Sequence, residues 1–293
     1  PNTISLQIGQ NTSSTGSVYS IASTNWSSPL TWAENSGGVS CGCLPTSIDN
    51  VIIENNFTVT MDKDNGVGKS LTINTGGVAN WASAFTTNIG TSGITLGATG
   101  DITGSAAGVL TTAGGLTLLN TVLSSSLVTI RTISTSGQSI NGTGTLSNLD
   151  IDVNTDNNGT VSLTDVLTIT NGTLTNAGTF TLKADASKYA RIAPVLCVSC
   201  GFSGNYIIER NIPARNIGTW ADMSSPVSNA TMADWDNELF MEYPFTGFDP
   251  NTNRPTGTNV LAYDEPSANY YELNSSTNLT PAMGFEIGLT DNS

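Results

Sequence analysis

The sequence predicts an all-β chain: a parallel β-helix, or β-solenoid, with an N-terminal cap and a C-terminal antiparallel β-sandwich-like domain. Apolar–Thr–apolar triplets carry the prediction. They read Leu71-Thr72-Ile73, Ile94-Thr95-Leu96, Leu116-Thr117-Leu118, Val128-Thr129-Ile130, Leu167-Thr168-Ile169 and Phe180-Thr181-Leu182, with the variants Leu149-Asp150-Ile151 and Val161-Ser162-Leu163. Each is a short strand with two side chains on one face and a polar one on the other. The first three begin 23 and 22 residues apart, and Val128 to Leu149 is 21. About 22 residues is one coil of a parallel β-helix. Two further observations agree. Gly and Asn mark the turns, as in Asn74-Thr75-Gly76-Gly77 and Asn141-Gly142-Thr143-Gly144, and both tolerate positive φ. No Pro occurs between Pro45 and Pro194, and no aromatic between Phe85 and Phe180. That suits uninterrupted sheet around a narrow core of Leu, Ile and Val.

Residues 1–45 read as the cap. Trp26 and Trp32 flank a Pro turn and suit a cover over the open end of the first coil. Sugar stacking is the alternative role for the two indoles. Residues 46–205 read as the solenoid, beginning with Ser47–Ile53 and Phe57–Met61. Outward Thr favours strand without adding charge, and like residues stack into ladders where like charges would repel. Residues 206–293 differ in kind and hold 11 of the 20 aromatics. Strand candidates there are 206–210, 238–241, 259–263, 270–273 and 284–287, separated by turn clusters. Short strands with regular turns predict the sandwich-like domain.

The four cysteines form two local pairs, Cys41-Gly-Cys43 and Cys197-Val-Ser-Cys200. About six rungs at ~4.8 Å hold the pairs roughly 30 Å apart, so each pair is expected to close on itself. Two local disulfides imply an oxidising compartment. The alternative joins all four in a zinc site, for which Cys-x-x-Cys is suggestive and Cys-x-Cys atypical.

Six stretches, in two groups, carry a resemblance. Asn25-Trp26-Ser27-Ser28-Pro29-Leu30-Thr31-Trp32, followed by Cys41-Gly42-Cys43-Leu44-Pro45-Thr46-Ser47-Ile48-Asp49-Asn50-Val51, resembles the opening of large surface proteins of gliding and marine bacteria exported by the type IX secretion system. Ile208-Glu209-Arg210-Asn211-Ile212-Pro213, Trp220–Val227, Val260–Asp264 and Leu279–Phe285 are similar to a module that follows the β-helix in those proteins. The resemblance implies a secreted, adhesin-like component of the cell surface. Its partners would be other copies or further domains of the same protein, and cell-surface glycans. Such proteins usually end in a sorting domain, and none is recognisable here. The chain opens Pro-Asn-Thr without Met, as expected of a processed or trimmed product, and its last residues, 288–293, carry no helix stop or polar tail, so the natural chain is expected to continue.

Composition narrows the function. Formal net charge is −14, with 9 Lys and Arg and no His. So few cations cannot neutralise many phosphates, so nucleic acid is not an expected partner. Without an 18-residue apolar run, no membrane-spanning helix is expected. His-based triads and His metal sites are excluded. A polysaccharide-degrading β-helix needs carboxylates and cations on its face, yet between Gly66 and Asn148 only Lys69, Asp101 and Arg131 are charged. The chain therefore reads as non-catalytic, with no cofactor; calcium is the alternative to no metal. The best carboxylate cluster is Asp150 and Asp152, sharing one outward strand face, with Asp156 and Asp165 nearby. Asp249, Asn251 and Asn253 give Asp-x-Asn-x-Asn without the closing Glu of a calcium loop. Asp62–Gly66 begins like such a loop with its glycine one residue early. Asp234, Asp236 and Glu238 alternate as on one strand face. A solvated edge or a β-turn is the bland reading of each. Trp26, Trp32, Trp235, Tyr270 and Tyr271 are the candidates for carbohydrate or partner contact.

Overall fold

The structure is a computed structural model. It describes residues 16–123, 127–134, 136–210, 220–225, 230–236, 247–249, 254–256, 260–264, 266, 269–279 and 284–288. Two compact units divide the chain, Pro1–Ile212 and Pro213–Ser293. The first is a β-solenoid of about six turns, built from three parallel faces.

On the first face one inward position passes through Val18, Val51, Leu71, Ile94, Leu116, Ile140, Asn157 and Asn176. On the third face the stack runs Gly66, Thr87, Leu110, Ile130, Leu149, Leu167, Ile192. The second face begins with Thr58–Met61, Val78–Trp81 and Asp101–Gly104. Further along it is formed by 143–146, 160–163, Thr179–Leu182 and Ile207–Ile208. Corners take the positive φ that the sequence provides for, as at Asn56 (67°) and Asn65 (58°). Gly93 has a second reason to be glycine: beyond its φ of 78°, a Cβ there would run into the Gly115 carbonyl of the next coil.

The triplets do not mark one face. Those at 71, 94 and 116 lie on the first face, 128, 149 and 167 on the third, 161 and 180 on the second. Any face with a buried side produces the same alternation, so pattern alone does not label faces. The 21-residue step from Val128 to Leu149 is out of register, because Leu149 stands against Ile130. Coil length also varies. From Val51 the first face advances by 20, 23, 22 and 24 residues, then by 17 and 19. The short coils arise where Gln138–Ile151 runs round two corners, and Thr160–Ile169 round one, as single strands. A register shift between Leu146 and Asn148 makes the second bend of Gln138–Ile151.

Leu, Ile and Val fill most of the core, and its buried aromatics lie toward the ends. Trp26, Trp32 and Trp81 are buried toward one end and Phe180 toward the other. It is not purely Leu, Ile and Val. Asn157 is buried and donates from Nδ2 to Asn176 Oδ1 (2.7 Å), Thr179 O (3.1 Å) and Gly159 O (3.3 Å). Buried Thr121 donates to Leu96 O (2.7 Å). These bonds give the buried amide and hydroxyl donors the partners that burial requires.

Ser17–Ser20 already stacks in parallel on Asn50–Ile53, inside the segment expected to be cap. The cap proper is Trp32–Ala33, which pairs antiparallel with Ser17–Ser20 and ends the parallel stack. Trp26 and Trp32 meet edge to face at 5.2 Å, and Trp32 Nε1 donates to Trp26 O (3.0 Å). Asp49, inside the stretch that carries the resemblance, is buried and accepts from Thr46 N (2.9 Å), shaping the turn into the first long coil. At the far end Ile207–Ile208 adds a last strand to the second face, so the compact unit runs past residue 205 to Ile212. Tyr206 packs edge-on against Phe180 and Phe202 and donates to Leu174 O (2.6 Å); burial pushes its hydroxyl up to about 12.

The second unit is antiparallel. Its four-stranded sheet runs Trp220–Ser224, Gly284–Gly288, Val260–Asp264, Asn269–Glu272. Met232, Val260, Ala262, Leu273, Leu279, Phe285 and Ile287 form its core. Three of the predicted strands appear here. Trp220–Ser224 is additional, and 238–241 lies outside the described residues. Met232–Asp236 is a helix, which overturns the strand alternation read into Asp234 and Asp236. Asp234 instead accepts from Thr231 N (2.7 Å) and Oγ1 (2.9 Å), and these bonds hold its carboxyl below the usual range. A capping interaction of this kind starts a helix whatever the polar alternation beyond it.

Leu149→Ala is expected to cost about 2–5 kcal/mol, because its neighbours on adjacent coils cannot collapse into the gap. Gly93→Ala is expected to destabilise as well, while Thr95→Ala beside it stays within about 0.5 kcal/mol. Urea denaturation of the three variants checks the order.

Candidate functional site

Most of the solenoid surface is uncharged hydroxyl and amide. Thr72, Thr95 and Thr117 stand in register on the outside of the first face. The third face carries one charged contact, Arg131 Nε to Asp150 Oδ2 at 2.6 Å across neighbouring strands. Asp150 is 2% exposed, and its Oδ1 has no hydrogen-bond partner. This corrects the reading of Asp150 as part of a solvated edge or an open calcium site: Arg131 compensates its charge. Asp152 lies one residue beyond the strand end and is half-buried. Asp62 accepts from Ser27 N (3.0 Å) and ties the cap to the second face, and Asp64 accepts from Thr86 N (2.8 Å). Those bonds give the suspected loop at 62–66 a structural role. Asp249 ends the strand Gly247–Asp249, opposite Arg254 in a hairpin. Asn251 and Asn253 lie outside the described residues. Among the described residues no three His, Cys, Asp or Glu side chains gather closely enough to hold a metal ion.

Both cysteine pairs close locally, Cys41 to Cys43 with Cα atoms 5.1 Å apart and Cys197 to Cys200 at 5.4 Å. The four-cysteine zinc alternative is thereby excluded, and among the described residues no cysteine is free. Trp26 and Trp32 are buried, so neither offers a ring face to a sugar. That corrects their candidacy as contact residues in favour of the cap. Tyr271 lies on Asn269–Glu272 opposite Ala262 and is 41% exposed. Trp235 sits in the short helix and Tyr270 on the same strand as Tyr271; their side chains lie outside the described set.

The most developed surface feature is one that sequence reasoning missed. Four of the nine Lys and Arg fall between residues 183 and 210. After Thr179–Leu182 the chain leaves the second face in a turn. It returns through an antiparallel bridge between Ala184 and Tyr189, with Ala190 N donating to Lys183 O (2.7 Å). Asp185 builds the turn: its Oδ1 accepts from Ser187 Oγ (2.6 Å), Ser187 N (2.7 Å) and Lys188 N (2.8 Å). These bonds lower its carboxyl to about 2. Lys183 Nζ pairs with Glu209 Oε1 at 2.5 Å, and Glu209 Oε2 accepts from Ala184 N (3.2 Å). The Arg210 guanidinium lies 5.8 Å from the Tyr189 ring centre, a cation–π contact. Tyr189 remains 62% exposed. Beneath the turn is a cavity of about 150 Å³ lined by Thr145, Thr164, Lys183, Ala184, Asp185 and Lys188. A second opening, about 360 Å³ between Val153, Asn154, Asn171, Gly172 and Ser199, has no charged lining. The signal for the first site was the cation density, legible in the sequence against so bare a background.

The chain matches no protein-family model, no curated protein and no solved structure.

Arg131→Met is expected to cost about 3 kcal/mol, because it strands a buried carboxylate; partial exposure of the arginine keeps the loss at the low end. Adding Asp150→Leu is expected to recover most of it in thermal denaturation. The Asp185 carboxyl, followed by NMR, is expected to titrate near 2 rather than 3.8. Since its folded value is depressed, its bonds steady the turn above pH ~4 and are lost only as pH falls through about 2.

Proposed function

We propose that this chain is a structural and adhesive module of a secreted bacterial surface protein, exported by the type IX route and acting without catalysis. The observation that supports this best is the solenoid itself. Each coil is bonded by its backbone to the coils on either side, which resists bending and extension. One end is closed by an antiparallel strand and a Trp pair. The outer face is hydroxyl-rich and poorly charged, suited to weak contacts that add up over many copies. Two local disulfides agree with an extracellular setting. The partners on this reading are further domains or copies of the same surface protein, and the glycans of the surface it meets.

Display of the 293-residue chain on a non-adhesive bacterium tests the reading. Attachment to glycan-coated glass under flow is expected to rise several-fold over cells carrying the anchor alone. No rise, or a released product from a polysaccharide incubated with the chain, contradicts it.

A further inference from the structure

We propose that the turn at residues 183–190 forms a binding site for a saccharide unit bearing one anionic group, a uronate carboxylate or a sulfate ester. The proposal rests on the adhesive reading only for the setting; the site stands on its own geometry. Tyr189 provides the platform. It is the exposed aromatic beside the cavity, and Arg210 is already stacked with it at 5.8 Å. An aromatic ring with a polar tip suits a sugar, whose C–H face is apolar and whose rim is hydroxyl. The cavity of about 150 Å³ is smaller than the usual pocket for a drug-sized molecule, so it takes a single ring or its charged substituent. Thr145, Thr164 and two lysines are among the residues that line it.

The preference for an anion follows from how the neighbouring acids are engaged. Asp185 accepts three hydrogen bonds from its own turn through Oδ1. Both Glu209 oxygens are engaged, one by Lys183 and one by Ala184 N. Counting Asp165 and Arg191 on the adjoining paired strands as well, Lys183, Lys188, Arg191 and Arg210 stand against Asp165, Asp185 and Glu209, leaving one positive charge in excess (four minus three). A charge-assisted hydrogen bond from a lysine to a carboxylate or sulfate is stronger than one to a neutral hydroxyl. One excess charge suits one anionic substituent. It does not suit a nucleic-acid backbone, which needs a track of cations. Beside the cavity, exposed Thr143, Thr160 and Thr179 stand in register on successive coils. They extend a hydroxyl surface along which neighbouring sugar units can lie.

Calorimetric titration of the full chain with polygalacturonate, dextran sulfate, neutral dextran and single-stranded DNA tests the proposal. At least one of the two anionic polysaccharides is expected to bind; which one does tells carboxylate from sulfate, and either supports the site. Tyr189→Ala and Lys188→Ala are each expected to weaken binding tenfold or more, and Tyr189→Phe to keep it. Tyr189 is exposed and Lys188 half-buried, and thermal unfolding confirms that the three variants fold. Equal binding of dextran, equal binding of DNA, unchanged affinity in both alanine variants, or no binding to either anionic polymer overturns the proposal. If it fails while displayed cells still attach, the adhesive reading stands without this site; if attachment is lost too, both fall.

Discussion

Every coil of this solenoid must bring the chain back to the register of the coil before it. The parallel ladder of backbone hydrogen bonds imposes that closure, and most other features follow. Most strands are three or four residues long because a coil of about 20 residues has three faces and three corners to fit. Corners fall to Gly and Asn because only they turn sharply enough without strain, and at Gly93 the next coil leaves no room for a side chain. Proline is absent from the stack because each amide is needed by the coil beside it.

Closure also explains why the core is not uniform. Coils of 20 to 24 residues accommodate buried Trp81 and Met61. Where coils shorten to 17 and 19, two or three faces merge into single bent strands. Asn157 and Asn176 donate to backbone carbonyls there from inside. A buried amide is tolerable only with partners for its donors and acceptor, and here each is bonded to the next coil. The Arg131–Asp150 pair is the outward counterpart: two charges that neighbouring strands make adjacent, on a face with few others.

The sequence carried the fold well, because alternation of apolar and polar residues is a direct record of two-sided strands. It could not carry face identity. Leu71, Ile130 and Val161 look alike in a triplet yet lie on three different faces, since only closure decides which coil each joins. The cap was legible in Trp26 and Trp32, two large apolar side chains next to a segment that needs a lid. The helix at Met232–Asp236 was not, because three alternating acids resemble a strand until Thr231 is seen to be capped. Among site residues, the chemistry of Asp150 was invisible without knowing that Arg131, 19 positions earlier, sits beside it. The turn at 183–190 was half legible. Its cations stood out in composition, but the placing of Tyr189 and Arg210 together depends on the last coil closing.

Charge is thus segregated: a bare hydroxyl scaffold, with cations gathered where the stack ends. The central claim beneath all of this is the stack itself, and amide hydrogen exchange tests it most directly. Slow exchange is expected at strand amides of all three faces from Asn50–Ile53 through Thr179–Leu182, with faster exchange at corners and in Arg191–Ile192, which has one neighbouring strand among the described residues. Protection limited to one face, or rapid exchange throughout residues 50–182, would contradict it.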